Sequence, residues 1–257
     1  MIYRDQYNAR GMRVRTVYLR NHRSLELHYR PVRVGAMSLY VYNARFNVGF
    51  YSRFPRVFRV SYPNYWFLAS DAWYYRYQRY YPYRATYLSP SQWLLDYYYS
   101  DLLRDYQEEI AEQQAIIDQQ NQMIQSQMPT TVRGQLETQV QNAMANPQAS
   151  SSVVDSLRDP AHLYVVSEEV NVQTQDGQTC SVTRGDVLQL ANDGYASGSP
   201  VATLQVVSAK DESCDAGSAV TLSVDQLQEF ENAMSSGIDE GLDAMSTDSR
   251  LKTDLNP

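Results

Sequence analysis

The residues able to form bonds, move protons or hold ions are few, and their spacing matches little of the chemistry they could do. The only two cysteines are Cys180 and Cys214. Each sits beside a turn, so a disulfide would staple loop to strand; two free buried thiols are the competing reading. Closing a loop of this length contributes about 3–4 kcal/mol, in the chain-entropy account by restricting the unfolded state. Such a bridge persists in an oxidising compartment. The histidines, His22, His28 and His162, are scattered, and none stands at a metal-ligand spacing from the cysteines. His162 lies near Asp159, which does not by itself make a catalytic set, and the paired acids Glu108–Glu109 and Glu168–Glu169 read as solvated faces. No phosphate-cradling glycine loop, nucleophile elbow or HExxH occurs. The expectation is a non-enzymatic protein with no catalytic residues, no metal and no cofactor.

The cysteines belong to the one stretch that reads as a complete small fold, residues 163–222. Leu163-Tyr-Val-Val166 is strand-length and apolar, and Val170 and Val172 alternate with Asn171 and Gln173, the period of a half-buried strand. Asp176-Gly177 suits a hairpin, Cys180 and Val182 share a face, and Arg184-Gly185-Asp186 turns into Val187–Leu190. After loop signals at Asn192-Asp-Gly194 and Gly198-Ser-Pro200, Ala202, Leu204 and Val206 alternate, and Ala219–Leu222 closes the set. Five or six short strands in so few residues predict a small barrel or sandwich, near the lower size limit for a self-sufficient core.

The block VNVQTQDGQTCSVTRGDVLQL resembles the start of a bacterial SH3-like domain, with Gly185-Asp186-Val187 as the turn that opens a strand. The Trp and Gly-Trp-Val elements that line the ligand groove of such domains are missing, so peptide binding does not carry over. The cysteine spacing and the helix that follows also resemble an uncharacterised family of exported bacterial proteins with Tyr- and Pro-rich N-terminal halves. That likeness covers about the last 100 residues, extends to the first 100 only in composition, and implies export without transferring any active site.

Charge is divided along the chain. Residues 1–100 carry fifteen arginines, no lysine and four acids (Asp5, Glu26, Asp71, Asp96), a net +11; the rest carries −18, which leaves −7 overall. Nineteen of the 22 tyrosines lie in the same first 100 residues. No run of 18 or more apolar residues exists, so no transmembrane segment is expected. Met1-Ile-Tyr-Arg-Asp5 has no apolar h-region; with a disulfide, the reading is a chain exported to the periplasm, cell surface or extracellular space whose signal is not in view. No Asn-x-Ser/Thr sequon occurs.

Residues 1–62 mix arginine with alternating apolar residues, favouring extended structure: either edge strands that need a partner or a non-native tail. In residues 62–99 arginine interleaves with tyrosine, most densely at Tyr74, Tyr75, Arg76, Tyr77, Arg79, Tyr80, Tyr81, Tyr83 and Arg84. Cation–π and stacking contacts there suit self-association, binding of a polyanion, or ordinary packing on a β surface. No RNA-binding aromatic signature is present, which argues against nucleic acid.

A long helix is predicted to start within residues 91–101, with Leu103, Ile110, Ile117 and Ile124 recurring every seven residues as one seam of a coiled coil. The stripe is narrow and calls for a second helix. Val132, Leu136, Val140, Ala143 and Met144 mark a shorter one, giving a hairpin. Residues 148–152 are small and polar. After the module, Ser223 and Gln226 form a capping box, and Leu227, Phe230, Met234, Ile238, Leu242 and Met245 follow at helical spacing. Gly237 and Gly241 on that helix either weaken it or admit a close neighbour.

The predicted organisation is α+β: a Tyr/Arg-rich basic region of extended or β character (1–100), a helical hairpin or spacer (101–147), a linker (148–162), an SH3-like barrel with a C-terminal helix (163–246) and a tail (247–257). The expected function is structural, a homo-oligomer or polymer that self-assembles, in filaments or a matrix, at the bacterial surface; the alternative is a binding module for envelope polysaccharide or another polyanion.

Overall fold

The computed structural model describes residues 3–18, 24–45, 59–61, 80–111, 127–146, 152–210 and 213–247, and every strand pair within them is antiparallel. The architecture is mixed α+β, with several sheets and a long C-terminal helix.

The alternating residues near the N-terminus form a meander of β1 (Tyr3–Tyr7), β2 (Arg13–Tyr18), β3 (Ser24–Val34) and β4 (Met37–Tyr42), paired in that order. One face buries Val17, Leu27, Tyr29 and Tyr42 as a small core of its own. Leu39, which points from β4 to the opposite face, joins the core of the C-terminal module. Strands β5 (Val60–Ser61) and β6 (Thr86–Tyr87) form a two-residue ladder.

Helix α1 (Pro90–Ala111) begins with proline at its first position, where the missing N–H has no intrahelical partner to lose. Its buried side is far wider than the seven-residue seam predicts: Trp93, Leu94, Leu95, Tyr98, Tyr99, Leu102, Leu103 and Tyr106 are all buried. Leu103 sits fully inside, whereas the Ile110 side chain, Ile117 and Ile124 lie outside the described residues. Helix α2 (Thr130–Ala145) packs on α1 through Val132, Leu136, Val140 and Met144; Ala143 faces solvent instead. Residues 152–162, expected as part of a linker, hold the short helix α3 (Val153–Ser156), and Val153, Val154 and Leu157 are buried in the module's core.

The module comprises β7 (Leu163–Val165), β8 (Val170–Gln173), β9 (Thr179–Val182), β10 (Val187–Leu190), β11 (Val201–Ser208) and β12 (Ala219–Ser223). One sheet runs β12-β11-β10-β7, and β8–β9 is a separate hairpin joined to it by a single bridge, Thr174 to Val220. The strands are those the alternation predicts, but the described ladders do not close into a barrel. The hairpin turns through Gly177 at φ +82°, a conformation that glycine adopts without steric cost.

Helix α4 (Val224–Thr247) starts at the expected capping box: the Ser223 N–H donates to Gln226 Oε1 at 2.9 Å, and the Gln226 N–H returns to Ser223 Oγ at 3.2 Å. Its buried stripe is the predicted one, Leu227, Phe230, Met234, Ile238, Leu242 and Met245. It packs against β4, β7, β12, α1 and α3, so it joins the N-terminal meander, the helical pair and the module.

Candidate functional site

Tyrosine chemistry dominates the interior. Tyr80, Tyr81, Tyr83, Tyr87 and Tyr99 are buried in the core shared by α1, α2 and α4, and a buried phenol needs a partner for its hydroxyl. Two carboxylates organise those partners. Asp96 on α1 is fully buried; its Oδ1 accepts from Tyr81 Oη (2.8 Å) and Arg133 Nη2 (2.6 Å), and its Oδ2 from Tyr87 Oη (2.9 Å) and the Arg84 N–H (2.9 Å). Four donors meet the four lone-pair sites of one carboxylate. Burial pushes the Asp96 carboxyl above its ordinary range, against the opposing pull of Arg133 and the other donors. Arg133 also lies 4.7 Å from the Tyr81 ring centroid and pairs with Glu137, which in turn holds Arg84 at 2.6 Å.

The second node is Asp186, in the turn that the SH3-like resemblance singled out. Its Oδ2 accepts from the Thr183 N–H at 2.7 Å and Thr183 Oγ1 at 3.2 Å, and its Oδ1 from the Lys210 N–H at 3.2 Å and Lys210 Nζ at 3.0 Å. Lys210 Nζ lies over the rings of Tyr80 and Tyr106, and the hydroxyls of Tyr80 and Tyr99 both donate to the Gly185 carbonyl, at 2.6 and 3.3 Å. Gly185 has φ +91°, a conformation that selects glycine, and a Cβ there would press on the Leu103 side chain at 3.0 Å. Both nodes are saturated with donors and enclosed; they hold segments together and leave no lone pair for a substrate.

Cys180 and Cys214 are bonded, with Cα atoms 5.3 Å apart, and join β9 to the segment between β11 and β12. Of the aromatic stretch predicted for assembly or binding, Tyr74, Tyr75, Arg76, Tyr77 and Arg79 lie outside the described residues. Tyr80, Tyr81 and Tyr83 are interior, and Arg84 is engaged with Glu137. Cation–π contacts of the expected kind occur within the chain, Arg13 lying 4.3 Å from the Tyr29 centroid and Arg133 over Tyr81. His22 is outside the described residues; His28 is exposed; His162 pairs with Glu231 at 2.5 Å. Among the described residues no group of three or more His, Cys, Asp or Glu could hold a metal ion, and no helix is long and apolar enough to cross a membrane.

Two features face outward with something left to bind. The first is a sheet edge. At the outer side of β4, Asn232 of α4 accepts the Tyr42 N–H at 2.8 Å and donates to the Tyr40 carbonyl at 2.7 Å. At the outer side of β7, Gln139 of α2 accepts the Leu163 N–H at 2.9 Å and donates to the Leu163 carbonyl at 3.0 Å. The outer side of β12 is met by Thr174 and Gln175, whose N–H donates to Ala219. Three edges of the two four-stranded sheets are thus occupied, two of them by helix-borne amides standing in for a strand. The fourth, β1, has no neighbour on its outer side among the described residues, and Tyr7 at its end is 60% exposed. Spacing could not reveal this: a glutamine or asparagine on a helix reads as surface until the strand it caps is placed.

The second is a pocket of about 190 Å³ where β2, β3, α1, α4 and the segment between β7 and β8 meet. Val17, Leu27, Leu102 and the rings of Tyr97 and Tyr98 supply its apolar part; Arg15, Arg184, Glu168, Glu229 and Glu240 are among its charged groups. Arg15 is held by Asp5 at 2.8 Å and Glu229 at 3.0 Å. Burial pushes the Tyr29 hydroxyl up to about 12, with Arg15 pulling the other way.

No protein-family model, curated protein or solved structure matches the chain. Fold and site together define an α+β protein whose interior carboxylates clamp a tyrosine-rich segment and whose two four-stranded sheets, among the described residues, are met at every edge but that of β1.

Proposed function

We propose that this is a non-enzymatic structural protein that self-associates through its N-terminal half, exported to the bacterial surface or an extracellular polymer. The observation that carries the reading is the outer edge of β1, which no described residue pairs, while β4, β7 and β12, the other edges of the two four-stranded sheets, are met. Exposed N–H and C=O groups on an edge are a template for another strand. A β1–β1 contact about a two-fold axis closes as a dimer. Growth beyond two copies needs a second contact, for which the basic first 100 residues and the acidic remainder provide opposite charge. The disulfide supports an oxidising compartment, and the hairpin, the Gly185–Asp186 turn and the bridge support an SH3-like reading of the module.

Sedimentation of the full chain, at low and at 0.5 M salt, tests this. The expected result is a dimer or larger species that persists in high salt, where the Debye length is about 4–5 Å, and that the double variant Gln6→Lys, Tyr7→Lys returns to monomer. A monomer at tens of micromolar in both salts would overturn assembly. A second reading, a module for envelope polysaccharide, is supported by the pocket beneath α1 and α4.

A further inference from the structure

We propose that β1 pairs with the β1 of a second copy in one antiparallel register, centred on Asp5, and that Arg15 is the residue that permits it. This rests on the assembly reading and names the contact and register that reading requires.

The backbone fixes which groups are on offer. The Asn8 N–H donates to the Met12 carbonyl at 3.0 Å, which makes Asn8 and Met12 a hydrogen-bonded pair. Such pairs recur at every second residue of an antiparallel ladder, so Gln6 bonds Val14 and Arg4 bonds Thr16. Tyr3, Asp5 and Tyr7 therefore direct their N–H and C=O groups to the outer side, where no described residue pairs with them. About a two-fold axis through Asp5, Asp5 meets Asp5 and Tyr3 of each copy meets Tyr7 of the other. Every outward group of both strands is then used. A slip of two residues keeps only two of those three pairs.

The side chains select the same register. Like charges directly opposite each other destabilise a strand pair, and this axis sets two Asp5 carboxylates face to face. Each arrives already clamped on both oxygens, Arg15 Nε donating to Oδ1 at 2.8 Å and Nη2 to Oδ2 at 3.1 Å. Glu229 of α4 holds that guanidinium from behind at 3.0 Å and binds Arg13 at 2.6 Å. The charges of Asp5, Glu229, Arg13 and Arg15 cancel, so two neutral clusters meet at the axis and not two bare anions. On the opposite face Arg4 and Gln6 are both exposed. The register sets Arg4 of one copy against Gln6 of the other, a cation against an amide, whereas the slip that pairs Asp5 with Tyr3 sets Arg4 against Arg4.

The test joins sedimentation to cysteine crosslinking of the full oxidised chain. Arg4 and Gln6 of opposite copies would form a non-hydrogen-bonded pair, with Cα atoms about 4.5 Å apart, within the range of a disulfide. Arg4→Cys and Gln6→Cys, mixed and briefly oxidised with copper phenanthroline, should crosslink to each other several-fold more than either does to itself, with peptide mapping to confirm the bond. Arg15→Gln, which leaves the Asp5 carboxylates bare, should raise the dimer dissociation constant about tenfold at low salt and less at 0.5 M. Adding Asp5→Asn to that variant should restore association, which a merely misfolded Arg15→Gln chain would not do. A dimer that crosslinks best as Arg4→Cys with itself or Gln6→Cys with itself has a shifted register, and one that crosslinks nowhere on β1 uses another surface. Either result overturns this inference and leaves assembly standing. An unchanged dissociation constant in Arg15→Gln overturns the role of Arg15, and a monomer at tens of micromolar in both salts removes assembly and this contact together.

Discussion

The Asn232 side chain meets the Tyr42 backbone as a neighbouring strand would, accepting its N–H at 2.8 Å while donating to the Tyr40 carbonyl two residues earlier. A helix has therefore sealed an edge that a sheet alone would leave open. Asn232→Leu removes both bonds and strands two polar backbone groups in a buried setting. The expected loss is about 2–3 kcal/mol in urea unfolding, accompanied by stronger self-association than wild type in sedimentation, because a second edge is uncovered.

Asp96 and Arg133 form an enclosed ion pair of the helical core, with side-chain exposures of 0% and 10%. Asp96→Asn leaves the guanidinium without its counter-charge, and removing one partner of a buried pair costs about 3–5 kcal/mol. Chemical denaturation should register that loss. The double variant Asp96→Asn, Arg133→Met should recover part of it, since the stranded charge is then gone.

His162 supplies a pH dependence. Burial lowers its affinity for a proton, but the Glu231 carboxylate at 2.5 Å and nearby Asp159 outweigh burial, and the net shift is upward from 6.5. A raised folded-state value gives stability that is complete below the ordinary histidine value and is lost as pH rises through the raised one. The thermal midpoint should therefore fall as pH rises above the ordinary histidine value of 6.5, and His162→Gln should flatten that part of the profile. An identical slope in the variant would assign the dependence to other groups.

Two helical glycines should respond oppositely to alanine. A Cβ on Gly237 would meet Tyr98 Cδ2 at 2.4 Å, so α1 and α4 approach through side chains packed on bare backbone. Gly134 on α2 has nothing within 4 Å. Gly134→Ala should gain about 1 kcal/mol from helix propensity; Gly237→Ala should lose about 1–3 kcal/mol despite the same propensity gain. Parallel urea titrations compare them directly.

The Cys180–Cys214 bridge spans a sequence separation of 34. Reduction, or the double variant Cys180→Ser, Cys214→Ser, should lower stability by about 3–4 kcal/mol. Mass analysis of unreduced, alkylated protein should find no modified cysteine; two alkylated thiols in protein taken directly from its source would remove the support for export.

The strands of the module, the α4 stripe and the Ser223 capping box were legible in the sequence because each is local. Alternation of period two and recurrence at helical spacing express which face is wet, and a cap needs only three residues. The cysteines could be read as a candidate bridge for the same reason, each standing beside its own turn. The tyrosines could not be read this way. Arginine beside tyrosine looks like an adhesive surface, yet Tyr80, Tyr81 and Tyr83 are interior because Asp96 and the Gly185 carbonyl satisfy the hydroxyls of Tyr80 and Tyr81. Those partners are fifteen and over a hundred residues away in the chain, and no local pattern encodes them. For the same reason the helix α1 stripe was underestimated: counting only aliphatic residues left its tyrosines out of the core.

What the sequence determined by itself was the module's strands, the α4 helix, the charge division and the absence of a familiar catalytic motif. What only the tertiary structure decided was which edges are closed and which polar atoms remain unmet. Asn232 and Gln139 are ordinary helix amides until β4 and β7 lie beside them, and the Tyr98 hydroxyl is one of 22 until packing removes water from it. Edges and unmet donors are properties of what is adjacent in space, and adjacency between distant segments is what folding adds to a chain.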